Sequence, residues 1–349
     1  MKKRFRVRFV TAVVVAVALA FLCSLPARPE NDRAAVSSAV PAWAADLPGP
    51  GARASDQTKR SAKPRVTTSG TRKPAQSQAR SQPVPLTPEQ KWAALEKAID
   101  LKLRDFTGTA GIVIKDLASG RTIERNAERL FPSASMVKVP IMVACLKAAA
   151  DGRLSLQDTL KLKSADKTSG SGHLRAERSG TPLTIEKLLQ VMVTESDNTA
   201  ANMLIDHLGM DELNATFREL GLIHTNLARK MMDFRSRSNG IENYTTPNEM
   251  AEILEKIYRG TCAGSEVSAS CLTLLKAQKV NNRISRYLPR TVEFAHKTGL
   301  EQTVCHDAGI LYTENGNVLV CVLTEGDSGA IIAERWIGRI GQVIYRAYK

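Results

Sequence analysis

Strand-like segments occur only at the two ends of the foldable part of this 349-residue chain, so any sheet must be assembled across the helical sequence between them. Thr109 to Asp116 (TAGIVIKD) reads as a strand, and Gly120 turns the chain into a short partner around Thr122. The next strand candidates are Val292 to Thr298, His306 to Thr313 and Val318 to Thr324. The last two are joined by Glu314-Asn315-Gly316-Asn317, whose Asn-Gly step suits a tight hairpin. From Phe131 to about Arg286 the pattern is mostly helical, with Leu188, Leu189, Met192, Met203 and Leu204 on apolar faces. A first helix is announced by Thr87 as cap, Pro88 at its first position and Gln90 reaching back. Trp92, Leu95, Ile99 and Leu103 follow at helical spacing. Asp327 or Ser328 is expected to cap a final helix running through Trp336, Ile340 and Ile344. The simplest packing is an α+β fold: a five-stranded antiparallel sheet flanked by the terminal helices, with an all-helical part inserted. Residues 89–130 and 287–349 would build the sheet part and residues 131–286 the helical part. A ligand groove is expected between them.

What precedes residue 89 is of a different kind. Residues 1–88 hold 15 Lys/Arg against 4 Asp/Glu, whereas residues 89–349 hold 34 against 31. The formal charge of +14 therefore belongs mainly to the leader, and the near-neutral remainder argues against nucleic acid as a partner. Met1 to Arg8 carries Lys2, Lys3, Arg4, Arg6 and Arg8, and an apolar run from Phe9 to Leu25 follows. That is the layout of a secretory signal, and the run also reaches the lower edge of what spans a bilayer. Residues 1–27 are thus expected to be a signal peptide, cut after Ala27 or near Ala42-Trp43-Ala44, or a retained membrane anchor. Cys23 follows Ala20-Phe21-Leu22, which are too bulky for a good lipoprotein site. Residues 28–88 are rich in Pro, Ser, Ala, Arg, Gln and Thr, a composition that buries too little apolar surface to offset chain entropy, and they read as a solvated basic linker. Beyond Cys23 the cysteines are Cys145, Cys262, Cys271, Cys305 and Cys321, and the pair Cys262 and Cys271 is placed to close a loop disulfide in an oxidising compartment. No Cys-x-x-Cys or histidine cluster points to zinc, and neither metal nor cofactor is expected.

Three short motifs follow one another: Ser135-Met136-Val137-Lys138, Ser196-Asp197-Asn198 and Lys297-Thr298-Gly299. A second Ser-x-x-Lys, Ser164-Ala165-Asp166-Lys167, lies among polar and glycine residues, whereas Ser135 opens the apolar helical run Met136 to Ala150. Positions three apart on a helix share a face, which brings the amine of Lys138 beside the hydroxyl of Ser135. A serine hydroxyl becomes a good nucleophile only when a base takes its proton, and a lysine serves if burial and nearby positive charge lower its pKa. Ser196-Asp197-Asn198 links two apolar helical stretches, a place from which Ser196 can relay a proton to a leaving nitrogen and Asn198 can hold a substrate amide; Asp197 suits bonding to the local backbone. At the end of a strand candidate, Lys297 offers fixed positive charge, Thr298 a hydroxyl for a carboxylate and Gly299 room for a substrate backbone.

The ordered set, with Phe131-Pro132-Ser133-Ala134 before the nucleophile and Thr199-Ala200-Ala201-Asn202 after the second motif, resembles class A serine β-lactamases and related penicillin-binding enzymes over roughly residues 89–349. The resemblance implies their fold, acylation of Ser135, Lys138 as base, and Ser196 as proton shuttle to the lactam nitrogen. It also implies that Asn198, Lys297 and Thr298 hold the substrate, with an oxyanion hole made by the backbone N–H groups of Ser135 and Leu300. The chain departs from the family at one point. Where a glutamate activates water to release the acyl group, Arg229-Lys230-Met231-Met232-Asp233 carries Met231, with Asp233 two residues away as a substitute base. The expected activity is a β-lactamase with slow deacylation, exported to the periplasm or beyond. The alternatives are a D-alanyl-D-alanine carboxypeptidase or transpeptidase acting on peptidoglycan peptides, and a penicillin-binding module without turnover.

Overall fold

In the computed structural model, which describes residues 86–327 and 329–349, the first helix begins where its sequence signals lie. Helix α1 (Pro88–Arg104) is capped by Thr87, whose hydroxyl accepts from the Gln90 N–H while the Gln90 side chain accepts from the Thr87 N–H. Leu95 and Ile99 are its buried stripe. Strands β1 (Thr109–Asp116) and β2 (Thr122–Arg125) follow, then β3 (Phe131–Pro132), a 3-10 turn (Ala134–Val137) and helix α2 (Lys138–Ala150). Next come β4 (Thr159–Lys161), β5 (Pro182–Thr184), α3 (Ile185–Thr194), α4 (Asn198–Leu208) and α5 (Met210–Glu219). A loop holding the short α6 (Phe234–Ser238) leads to β6 (Tyr244–Thr245), α7 (Pro247–Tyr258) and α8 (Ser265–Lys276). Strands β7 (Phe294–Leu300), β8 (Val304–Thr313) and β9 (Gly316–Glu325) and helix α9 (Ala330–Ala347) complete the chain. The readings of residues 1–85 and of Ser328 lie outside the described residues.

The sheet runs β2-β1-β9-β8-β7 with every neighbouring pair antiparallel, the five-stranded α+β arrangement expected from the sequence. Strand β9 shows how it is held. Val318, Val320 and Val322 join a core with α1 and α9, including Leu95, Ile99, Trp336 and Ile340. Leu319, Cys321 and Leu323 point the other way, into a larger core with α2, α3, α4, α7 and α8. Alternation with a period of two thus serves two apolar layers at once, and each fully buried Val or Leu side chain contributes about 1.5–3 kcal/mol. Strand β7 is the free edge on the side of the 3-10 turn: a Cβ on Gly299 would lie 3.3 Å from Met136 Cγ.

Several local readings need correction. Strand β7 reaches Leu300 because Gly299 and Leu300 still pair with His306 and Cys305, so Lys297-Thr298-Gly299 lies inside the strand rather than at its end. The β8–β9 turn centres on Glu314 and Asn315, since Thr313 pairs with Gly316. Asp327 does not cap the last helix; Gly329, with φ +82°, stands at that position. The ribbons β3–β6 and β4–β5, two and three residues long, interrupt the helical part. Cys262 and Cys271 are free, buried thiols, not a disulfide. The loop they flank is closed instead by the Ser268 hydroxyl, which bonds both the N–H and the carbonyl of Cys262.

Helix α9 crosses the 3-10 turn at Ile284–Tyr287 so closely that a Cβ on Gly341 would fall 2.2 Å from the Ile284 carbonyl oxygen. Replacing a mid-helix glycine by alanine normally gains about 1 kcal/mol of helix propensity. Here Gly341→Ala is expected to lower stability by about 1–3 kcal/mol, read as a lower urea midpoint at unchanged m-value, because the clash is with backbone.

Candidate active site

Ser135 stands on the 3-10 turn before α2, half-buried, following Ala134 in the left-handed region at φ +44°. The turn is fixed from both sides. The Ser133 N–H donates to the Asn243 carbonyl at 2.7 Å. The His306 ring hydrogen-bonds the Pro132 carbonyl through Nε2 (2.8 Å) and accepts the Thr324 N–H at Nδ1 (3.1 Å). That pattern needs a neutral imidazole, and burial lowers the ring's pKa to about 4. The Lys138 N–H bonds the Ser135 carbonyl, and in such a turn residues three apart stand one above the other. Ser135 and Lys138 therefore share one edge.

Among the described residues no direct hydrogen bond joins these two side chains. Lys138, fully buried, turns to the second motif: Nζ donates to the Ser196 carbonyl (2.6 Å), the Asn198 Oδ1 (2.7 Å) and, more loosely, the Ser196 Oγ (3.3 Å). The motif spans the break between α3 and α4, as its sequence position suggests. Asp197 caps α4 by accepting the Ala200 N–H at 2.8 Å, and its other oxygen accepts the Leu174 N–H at 2.9 Å. This is the structural role read from the sequence. Ser196 is left at φ +57°, a conformation that costs a non-glycine residue roughly 1–3 kcal/mol and presents its hydroxyl between the lysines. The segment 169–174 covers this corner. The Ser171 carbonyl takes the Asn198 N–H (3.1 Å), and the Ser169 carbonyl takes the Asn198 side-chain amide (3.0 Å). Its glycines are required by contact: a Cβ on Gly170 would lie 2.5 Å from Asn198 Nδ2, and one on Gly172 would lie 2.1 Å from Asp197 Oδ2.

Lys297 enters from β7, also fully buried, and donates to the Ser196 Oγ (2.9 Å) and the Thr298 carbonyl (2.7 Å). The Ser196 hydroxyl thus receives an amine from each side. Burial lowers the Lys138 pKa to about 7, opposed by the carboxylates of Asp197 and Glu301. Burial, the neighbouring Lys138 and Arg283 push Lys297 well below the usual lysine range, against the pull of Asp307. Behind Lys297 lies a buried pair, His296 Nδ1 to Asp307 Oδ1 at 2.7 Å, with His296 Nε2 on Asn281 Oδ1 at 3.0 Å. Thr298 is buried, and Leu300 is exposed at the open end of the strand.

Ser135, Lys138, Ser196, Asn198, Lys297 and the strand Thr298-Gly299-Leu300 accordingly meet in one corner. Ser164, Lys167 and Asp233, also singled out in the sequence, are engaged elsewhere. Ser164 is exposed and hydrogen-bonds Ser179, while Lys167 donates to the Glu177 carbonyl. Asp233 caps α6, its oxygens taking the Ser236 N–H (3.0 Å) and hydroxyl (2.7 Å), and these bonds hold its pKa below the usual carboxylate value. Met231 is buried, with its backbone gripped by the Asn202 side chain: Oδ1 accepts the Met231 N–H (2.8 Å) and Nδ2 donates to its carbonyl (3.2 Å). Asn202 lies one turn beyond Asn198 on α4, so the methionine loop is tied to the helix that carries the second motif.

Sequence reading missed what secures this loop. Arg229, almost wholly buried, donates through Nε to Glu242 (2.7 Å) and through Nη2 to both oxygens of Glu301 (3.0 and 3.1 Å). Arg237 adds a hydrogen bond to Glu301 (2.9 Å) and an ion pair with Glu242 (3.2 Å). Breaking one member of such a buried ionic group typically costs about 3–5 kcal/mol, because a charge is left without its partner. No local pattern announces the network, since Arg229 and Glu301 are 72 residues apart.

Comparison with known proteins agrees with this geometry. Residues 94–348 match the model of the Beta-lactamase enzyme family. The chain is 25% identical to β-lactamase VEB-1 of Pseudomonas aeruginosa over 269 residues, 72% of this chain and 89% of that protein. Among solved structures it is similar to a β-lactamase from Sphaerobacter thermophilus DSM 20745, with TM-score 0.68, 34% identity and coverage of 74% of this chain and 97% of that one. It is equally similar in fold to a mutant of PBP-A solved as an acyl-enzyme complex with penicillin G, with TM-score 0.68, 29% identity and coverage of 75% and 99%. The converging serine, lysines and strand edge, on a sheet of this order and under a family match that spans most of the chain, make it a serine hydrolase belonging to the β-lactamase enzyme family.

Proposed function

We propose that this protein opens β-lactams by acyl transfer to Ser135 and releases the acyl group slowly. Lys138, its pKa lowered by burial to about 7, takes the Ser135 proton as the oxygen attacks the lactam carbonyl. The oxyanion is received by the N–H groups of Ser135 and Leu300, where each donor is worth about 3–4 kcal/mol in comparable enzymes. The lactam C–N bond then breaks. The nitrogen takes a proton from the Ser196 hydroxyl, which is resupplied by the amines of Lys138 and Lys297 on either side. Asn198 and the Thr298–Leu300 edge hold the substrate, with Lys297 and Thr298 facing its carboxylate.

One observation supports the slow release: the sequence carries Met231 where the family's water-activating glutamate is expected, and the backbone there is held by Asn202. Asp233 is engaged as a helix cap and Glu301 by two arginines. Losing a general base typically costs ~10²–10⁴ in rate. The fold likeness to PBP-A favours a second substrate class, peptides ending in D-Ala-D-Ala, attacked by the same serine. From the leader sequence we further propose export of the residue 89–349 domain, with residues 1–27 cut off or kept as an anchor and residues 28–88 as linker.

The test is a time course with a chromogenic cephalosporin, paired with intact-protein mass measurement. One adduct per chain, outlasting the initial burst by hours, is expected; absence of any adduct overturns the proposal, and rapid multiple turnover overturns slow release. Cleavage of a D-Ala-D-Ala peptide, measured alongside, decides the second substrate class. In the same assay Ser135→Ala should abolish the adduct and Ser164→Ala should leave it intact. Because Lys138 acts as base only when unprotonated, the acylation rate should rise with pH through a midpoint of about 7 and fall away below it. Asp233→Ala should lower stability by about 1 kcal/mol through loss of the α6 cap while leaving the acyl lifetime unchanged in mass spectra.

A further inference from the structure

Glu301 directly follows β7, three residues beyond Thr298, and all the hydrogen bonds of its carboxylate go to one loop. Arg229 reaches it with a bidentate pair from the start of that loop, Arg237 with a single bond from the end of α6, and Glu242 completes the group by bridging both arginines. Between these anchors the chain carries Met231 and Met232. Met232 is in the left-handed region at φ +63°, and the point 3.1 Å from its sulfur where a Gly170 Cβ would stand is only 2.5 Å from the Asn198 amide. Met232 therefore packs beside Gly170, the glycine that abuts the residue holding Lys138. Asn202 thus ties the Met231 backbone to α4, and Glu301 ties Arg229 and Arg237 to the end of β7.

We propose that Glu301 is a positioning residue for the acyl chemistry: it latches the loop 228–244 to the end of β7, keeps Met231 and Met232 over the acyl site, and sets a fixed negative charge within reach of Lys138. The inference rests on the acyl-serine reading above for its kinetic part. A loop so latched would keep water from the ester and thereby lengthen the life of the acyl-enzyme. The charged groups bearing on Lys138 are Asp197 from the start of α4, Lys297 from β7, and Glu301. Of these Glu301 alone also belongs to the latch, and it favours the protonated amine. Removing its charge makes Lys138 neutral at lower pH.

The experiment compares the full chain with Glu301→Gln and Glu301→Asp. It reads amide hydrogen exchange across residues 228–244, the lifetime of the β-lactam adduct by mass spectrometry, and the pH midpoint of acylation. Glu301→Gln should exchange roughly tenfold faster in the loop, shorten the adduct lifetime several-fold, and move the midpoint down by about half a pH unit. Glu301→Asp should restore the midpoint and most of the protection. A folded Glu301→Gln protein with all three readouts at wild-type values overturns the proposal, as does one that loses only thermal stability. If Glu301→Gln does not fold, Arg237→Gln removes the more exposed arm and should loosen the loop in the same direction; unchanged exchange there overturns the latch. If the unmodified protein forms no adduct, the acyl-serine reading fails, and the exchange comparison still decides whether the latch exists.

Discussion

Two amines buried against one hydroxyl govern this molecule. Ser196 Oγ lies 2.9 Å from Lys297 Nζ and 3.3 Å from Lys138 Nζ, and neither lysine has measurable exposure. Two full positive charges so placed repel strongly in a medium that screens poorly, so the arrangement persists only if at least one amine gives up its proton. Neutral lysine in water is scarce near pH 7; here burial and the facing amine bring it within reach. The reactivity of the corner is thus a by-product of its burial. What the fold must do is keep the corner closed, and its unusual backbone serves that end: Ala134 and Ser196 both sit at positive φ without being glycine.

Keeping three remote segments in register falls to the sheet and its two cores. Lys297 arrives on an edge strand whose register with β8 is continuous from Phe294 to Leu300, and β8 is in turn paired along its whole length with β9. Because β9 feeds alternate side chains to both apolar layers, the strand cannot slip by one residue without turning every valine and leucine to the wrong side. The precision of the lysine pair therefore derives from hydrophobic patterning far from it. The helical side contributes through the break between α3 and α4, where Asp197 replaces lost backbone partners for both α4 and the segment at Leu174.

Much of this was legible in the sequence because the signals were local. The Thr87–Gln90 cap, the β1 strand and the apolar faces of α3 and α4 each depend on residues within a few positions of one another. The three motifs were legible as a set, and they do converge. Where reading failed, the deciding contact was remote. Strand β7 extends past Thr298 because Leu300 finds Cys305 as a partner, which residue preference at Gly299 opposes. The Ser135–Lys138 spacing correctly placed both on one edge, but the amine answers to the acceptors of Ser196 and Asn198, about sixty residues on. Cys262 and Cys271 looked like a staple, yet a hydroxyl from Ser268 already closes that loop. Arg229, Arg237, Glu242 and Glu301 carry no pattern at all before folding brings them together.

The glycine wall of the corner has a consequence for how this site can diversify. Gly170 and Gly172 admit no side chain, because Asn198 and Asp197 already fill the space any β-carbon would need. A lineage seeking new ligands cannot decorate that wall without dismantling the motif behind it. Variation is channelled instead to positions such as Leu300, at the end of β7, whose side chain already stands open to solvent.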